Sequence, residues 1–239
     1  MLLWWREFAG CFLSPVAYVV TACYLMLAGA TFLQAAERQS GLQESLEVLL
    51  FMAMFFWMPL FVTAITMRLF AEEKRSGTLE TLMTAPVTDV QVVMGKFAGA
   101  YAFLLLAAAP AVAGLAVVIV LSPSMAAWDG GALAGGAILF VSIGALCVSI
   151  GLLASLLTRN QIVAALVCFV AICTPFLLRA AMSNLPVGSE RLIEYVSAEA
   201  HIMDFARGSL DTRPLVLYVS STAFLLFASV KLLESRRWR

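Results

Sequence analysis

The chain has 239 residues, 62% of them hydrophobic and only 13% charged, with a mean hydropathy of +0.96. A soluble domain is nearer half apolar and a quarter charged, so water is the wrong solvent for this chain, and several membrane crossings leave no room for a separate soluble enzyme domain. The 15 basic and 15 acidic residues give zero net charge, which removes the usual electrostatic reason to expect nucleic acid as a partner.

The first segment, Leu2 to Phe12, sets Leu2, Leu3, Trp4, Trp5, Phe8 and Phe12 around Arg6 and Glu7, a pattern suited to an interfacial helix over 2–12. Ser14-Pro15 then starts the first membrane span, about 15–33. Ala28-Gly29-Ala30 has the form of a signal-peptidase site, but the segment before it is aromatic and locally neutral, so the stretch is expected to be retained as a span. Further stretches free of Asp, Glu, Lys and Arg place spans at about 48–69, 96–121, 132–157, 160–178 and 214–233. None alternates with polar residues, which excludes a membrane barrel and makes the fold an all-α membrane protein of six transmembrane helices in one domain, 1–239. Pro59, Pro110 and Pro175 lie within spans, and Gly95-x-x-x-Gly99 and Gly131-x-x-x-Gly135 have the spacing of close helix packing.

Orientation follows from the basic residues. Placing both termini on one side leaves only Arg38, Arg179, Arg191, Arg207 and Arg213 opposite, so ten of the 15 basic residues share the termini's side, and both termini are expected to be cytoplasmic. Six acids lie on that side and nine opposite, which makes the cytoplasmic face +4 and the outer face −4. Two connections are long: a cytoplasmic loop over 70–95, and an outer segment over 180–213 in which Ser189 and Ser197 can each cap a short helix, Gly208 can end the second, and Pro214 suits the first turn of the last span.

The spans lack the ionisable residues that ion-coupled carriers hold in the bilayer. The one histidine, His201, falls in the outer segment and is expected to be exposed or interfacial, with no metal-ligand or nucleophile pattern around it. Cys11, Cys23, Cys147, Cys168 and Cys173 show no C-x-x-C spacing and read as small buried hydrophobes. Gly95-Lys96 is not a phosphate loop, because Val90 stands where the first glycine would be and Phe97 where Ser or Thr would hold magnesium. The chain is therefore expected to be no enzyme and to carry no metal or cofactor.

The cytoplasmic loop divides at Gly77 and Pro86. The second span can continue as a helix through Lys74, Ser76-Gly77 then ends it, and a short helix from Thr78 to Thr84 puts Leu79, Leu82 and Met83 on one face. Thr88 and Gln91 form a capping box that starts the helix leading into the third span. This bracket of two helices around a short amphipathic one suits the passage of movement from a soluble partner into the bilayer; a plain solvated loop is the simpler alternative.

The segment Glu72-Glu-Lys-Arg-Ser-Gly77-Thr-Leu-Glu80-Thr-Leu-Met-Thr-Ala-Pro86, leading to Gly95-Lys96-Phe97, resembles the cytoplasmic signature of ABC-2 type transporter permeases, in particular those similar to the gliding-motility permease. The outer segment from Ser197 to Gly208 and the last span through Trp238 are similar to the same subgroup. The resemblance implies an ABC-2 exporter fold and a permease subunit of an ATP-driven transporter in the bacterial inner membrane. It implies a second permease half, identical or not, and an ABC ATP-binding subunit that carries the ATP and Mg; a large periplasmic protein is a further candidate partner. Carried over, Glu73, Arg75, Gly77, Thr78, Leu79, Glu80, Leu82 and Met83 are the contacts to the ATPase: Gly77 for the turn, the leucines and Met83 for its cleft, the charges for docking. Short outer helices between the fifth and sixth spans are implied to gate the outward end. A non-transporting membrane scaffold that works with an ATPase is the alternative, and the substrate is not legible.

Overall fold

The computed structural model describes residue 10 and residues 15–38, 46–77, 88–121, 130–181, 197–206, 208 and 211–237. The elements are α1 (Pro15–Arg38), α2 (Leu46–Thr66), α3 (Ala71–Ser76), α4 (Asp89–Leu121), α5 (Gly130–Leu157), α6 (Gln161–Ala181), α7 (Ala198–Ala206) and α8 (Thr212–Arg237). There is no strand among the described residues. Five stretches are long and apolar enough to cross a membrane: Pro15–Arg38, Leu46–Arg75, Asp89–Val118, Gly130–Leu157 and Thr212–Ser235. The remaining expected span corresponds to α6, whose apolar part, Gln161–Pro175, is shorter. The interfacial helix over 2–12, apart from Gly10, and the first outer helix near Ser189 lie outside the described residues.

Helices α2 and α5 form the centre. Of their apolar stretches 67% and 56% is buried, against 11% for α1 and 22% for α8, which flank them. Inside lipid there is no hydrophobic gain from bringing helices together, so close contact and dispersion must hold them. The sequence supplies this by opposing small residues of α5 to large ones of its neighbours: Gly136 lies under the ring of Phe51 and Gly144 under Leu104. Aromatic rings complete the centre, with Tyr24 stacked on Phe61 at 4.5 Å and Phe55 against Phe140 at 5.6 Å. Helix α1 packs on α2 and α4, and α8 on α5 and α4. Cys147 and Cys168 are buried, as expected of small apolar residues, whereas Cys23 is exposed on the outer surface of α1.

Local signals fix the helix ends. Thr88 N donates to Gln91 Oε1 at 3.1 Å and Gln91 N donates to Thr88 Oγ1 at 3.3 Å, the capping box that the spacing predicts. Gly77 ends α3 with φ 74°, and Gly208 has φ 81°, both in the left-handed region that favours glycine. Ser197 does precede α7, but its buried Oγ has no hydrogen-bond partner, so the expected side-chain cap is not made. Asp211 instead caps α8, accepting from Arg213 N at 3.0 Å.

Candidate functional site

The second span does not run unbroken through Lys74. It ends at Thr66, residues 67–70 turn, and α3 begins anew at Ala71. A helix interrupted in an apolar setting exposes backbone donors that must be satisfied. Ser155, near the end of α5, satisfies them: its Oγ accepts from Phe70 N at 2.9 Å and from Ala71 N at 3.0 Å, and donates to the Met67 carbonyl at 3.3 Å. A serine 84 residues away in sequence thus caps α3, where Phe70 provides no side-chain cap of its own.

Two lysines extend the clamp. Lys74 Nζ donates to the Leu156 carbonyl at the C-terminal end of α5, a site where a cation also suits the helix dipole. Lys96, only 2% exposed in the second turn of α4, pairs with Glu73 Oε1 at 2.7 Å and lies 5.1 Å from the centre of the Phe70 ring. A buried lysine is tolerable here because it is paired. Helix α3 is thereby tied to α5 through Ser155 and Leu156 and to α4 through Lys96.

Of the residues expected to meet an ATPase, Glu73 is turned inward to Lys96, while Arg75 and Gly77 are exposed. Thr78, Leu79, Glu80, Leu82 and Met83 lie outside the described residues. Sequence reasoning missed Ser155 and Phe70 altogether and named Lys96 only as part of a Gly-Lys pair. The one available signal for Ser155 was its spacing: Gly151-x-x-x-Ser155 is a small-residue pair one turn apart, the pattern of a close helix contact.

At the other end of the bundle, α7 packs against α5, α2 and α6. His201 is buried, at 7% exposure, and not exposed or interfacial as expected: its Nδ1 lies 2.8 Å from the Tyr218 hydroxyl of α8. The sequence concealed this because the partner sits on another helix. Burial lowers the His201 pKa from its ordinary 6.5, with Asp204 and Asp211 opposing the shift. A histidine held neutral stabilises the fold fully above pH 6.5 and loses that contribution as the pH falls through its lower folded value. Melting of the detergent-solubilised protein is therefore expected to drop between neutral pH and about pH 5, and His201→Gln to remove most of that drop. An unchanged pH dependence in the variant would show that other groups are responsible.

Among the described residues no group of three or more His, Cys, Asp or Glu is placed to hold a metal ion. No curated protein matches the chain. A family model described as an ABC-2 family transporter protein matches residues 3–227, nearly the whole length, which takes in α1 to α7 and α8 as far as residue 227. The chain belongs to the ABC-2 family of transporter proteins.

Proposed function

We propose that this chain is one permease half of an ATP-driven exporter of the gliding-motility-like type, with six spans and cytoplasmic termini in a bacterial inner membrane. It pairs with a second permease half and with separate ATP-binding subunits that hold ATP and Mg. The observation that carries the reading is the clamp on α3. A short helix capped by Ser155 and paired to Lys96 cannot move without taking α5 and α4 with it. The ATPase is engaged by residues 78–83 together with the exposed Arg75 and Gly77, and closure on ATP pushes α3 against the ends of two spans. Coupling of this kind needs a packed element with discrete arrangements, and hydrogen bonds to a broken helix provide a joint between them.

The test separates grip from transmission in the complex of the chain with its co-purified ATPase. Leu79→Asp with Leu82→Asp is expected to reduce ATPase association by about tenfold or more, since two charges would enter an apolar contact. Ser155→Ala is expected to leave association intact and to lower permease-dependent stimulation of ATP hydrolysis, because two buried backbone donors lose their acceptor, a cost of about 1–3 kcal/mol each. Full association of the double aspartate variant would rule out the proposed grip.

A further inference from the structure

Helix α2 has a weak point at Pro59, which lacks the N–H that would bond the Phe55 carbonyl one turn back. A single side chain of α1 reaches both sides of it. Tyr24 donates its hydroxyl to the Met54 carbonyl, before Pro59, at 3.3 Å, and its ring stacks on Phe61, after Pro59, at 4.5 Å and 26°. Tyr24 is buried, and its bond is the only one from α1 to another helix among the described residues. Phe61 in turn faces Phe103 of α4 at 6.3 Å and 17°, so three helices meet at these rings.

Met54 and Phe61 are about 10 Å apart along the axis of α2, and any bend about Pro59 changes that separation. The phenol ring is rigid, so it cannot keep both contacts through such a change. The hydroxyl bond is the one to give way. At 3.3 Å it is longer than the ~2.7–2.8 Å usual for O–H···O, whereas the stacked ring keeps its apolar contact.

There is also space for α1 to move. Of its residues only Tyr24 and Ala28 are buried. A cavity of about 140 Å³ lies between α1 and α2, lined by Cys23, Leu27, Trp57 and Leu60. It shares Val20 and Ala64 with a cavity of about 390 Å³ that Phe103 of α4 also lines. Val20, one turn from Tyr24, therefore borders open space towards both α2 and α4.

We infer that Tyr24 is a releasable brace on α2: it holds that helix at one bend about Pro59, and α1 shifts into these cavities when the hydroxyl lets go. Tyr24 is a positioning residue, since it acts through the backbone of α2. The device belongs to the chain's own contacts and works whether or not an ATPase grips residues 78–83.

The test uses the full chain in lipid nanodiscs with no ATPase present. Cys11, Cys23 and Cys173 are replaced by alanine, and spin labels are attached at Leu33→Cys of α1 and Val216→Cys of α8, positions that are 60% and 65% exposed. Pulsed electron paramagnetic resonance then reads the distance between the labels. Tyr24→Phe keeps the stacked ring and removes the hydroxyl, and is expected to raise the ratio of a second distance to the wild-type distance about threefold, the scale of one weak hydrogen bond. In Pro59→Ala the backbone bond of α2 is restored and no brace is needed, so adding Tyr24→Phe is expected to change nothing. A Tyr24→Phe distance distribution equal to that of the wild type overturns the inference, even if Pro59→Ala fails to fold. An equal effect of Tyr24→Phe with and without Pro59 overturns it too, by showing that the hydroxyl is an ordinary packing contact.

Discussion

Gly151→Ala is expected to lower the stability of the solubilised protein by about 2 kcal/mol, the scale of forcing an extra carbon into a filled core. An alanine Cβ at 151 would lie 2.6 Å from Thr66 Cβ and 3.0 Å from its Cγ2, with Oγ1 nearer still. Thr66 cannot give way. It is fully buried, is β-branched and stiff, and its hydroxyl is held by the Val62 carbonyl at 2.8 Å and faces Cys168 Sγ at 3.7 Å. The methyl group must push α5 away from α2, and Ser155, one turn further along α5, moves with it. The bonds from Phe70 and Ala71 to Ser155 then lengthen, so this variant is expected to weaken the α3 joint as well as the packing.

Three other glycines make the prediction selective. Gly136→Ala meets the buried ring of Phe51, whose Cγ would be 2.8 Å away, and is expected to destabilise by a similar amount, but some 22 Å up α5 from Gly151, where the α3 joint is untouched. Gly29→Ala and Gly114→Ala meet nothing within 4 Å and are expected to be neutral or slightly stabilising. Thermal melting of the four variants in one detergent checks the ranking. If Gly151→Ala melted with Gly29→Ala, the close approach of α2 and α5 at Thr66 would be wrong.

The contrast between these glycines also marks how far the sequence can be read. Most features decided within one turn of the chain were legible, namely the capping box at Thr88 and Gln91, the left-handed Gly77 and Gly208, and the apolar lengths of the helices, while the Ser197 cap was not made and the Asp211 cap was missed. Those signals are local because a helix end is satisfied by groups a few residues away. The break at residues 67–70 was not legible. Arg68-Leu-Phe-Ala contains neither glycine nor proline, and what ends the helix is a serine on α5 that accepts donors a continuous helix would have used itself. The same holds for Glu73, which reads as a solvent-facing charge until Lys96, 23 residues on, is brought beside it where α4 meets α3. His201 is buried for a like reason, through Tyr218 on the next helix. Position in the sequence revealed where α3 ends and α4 begins, and only tertiary contact revealed which of their charges face inward.

Breaking the Glu73 and Lys96 pair is the second large expected effect. Lys96→Met removes a cation whose side chain is 3% exposed and leaves the Glu73 side chain, at 23%, facing an apolar neighbour. Losing one partner of a buried pair costs about 3–5 kcal/mol; Glu73 is partly wet and keeps other contacts, so about 3 kcal/mol or less is expected here. The contact of Lys96 with the Phe70 ring at 5.1 Å disappears as well. Replacing both, Lys96→Met with Glu73→Gln, is expected to recover most of the loss, since no ion then remains buried, and the cycle should show a coupling of about 2 kcal/mol. Additive single effects would mean that the pair contributes no interaction of its own. The double variant also separates stability from transmission. It restores the fold without restoring the tie between α3 and α4, so its permease-dependent stimulation of ATP hydrolysis is expected to stay low while its melting returns towards wild type. If stimulation returned together with stability, packing of α3 against α5 through Ser155 would be sufficient, and the ion pair would serve only to let a lysine enter the base of the bundle.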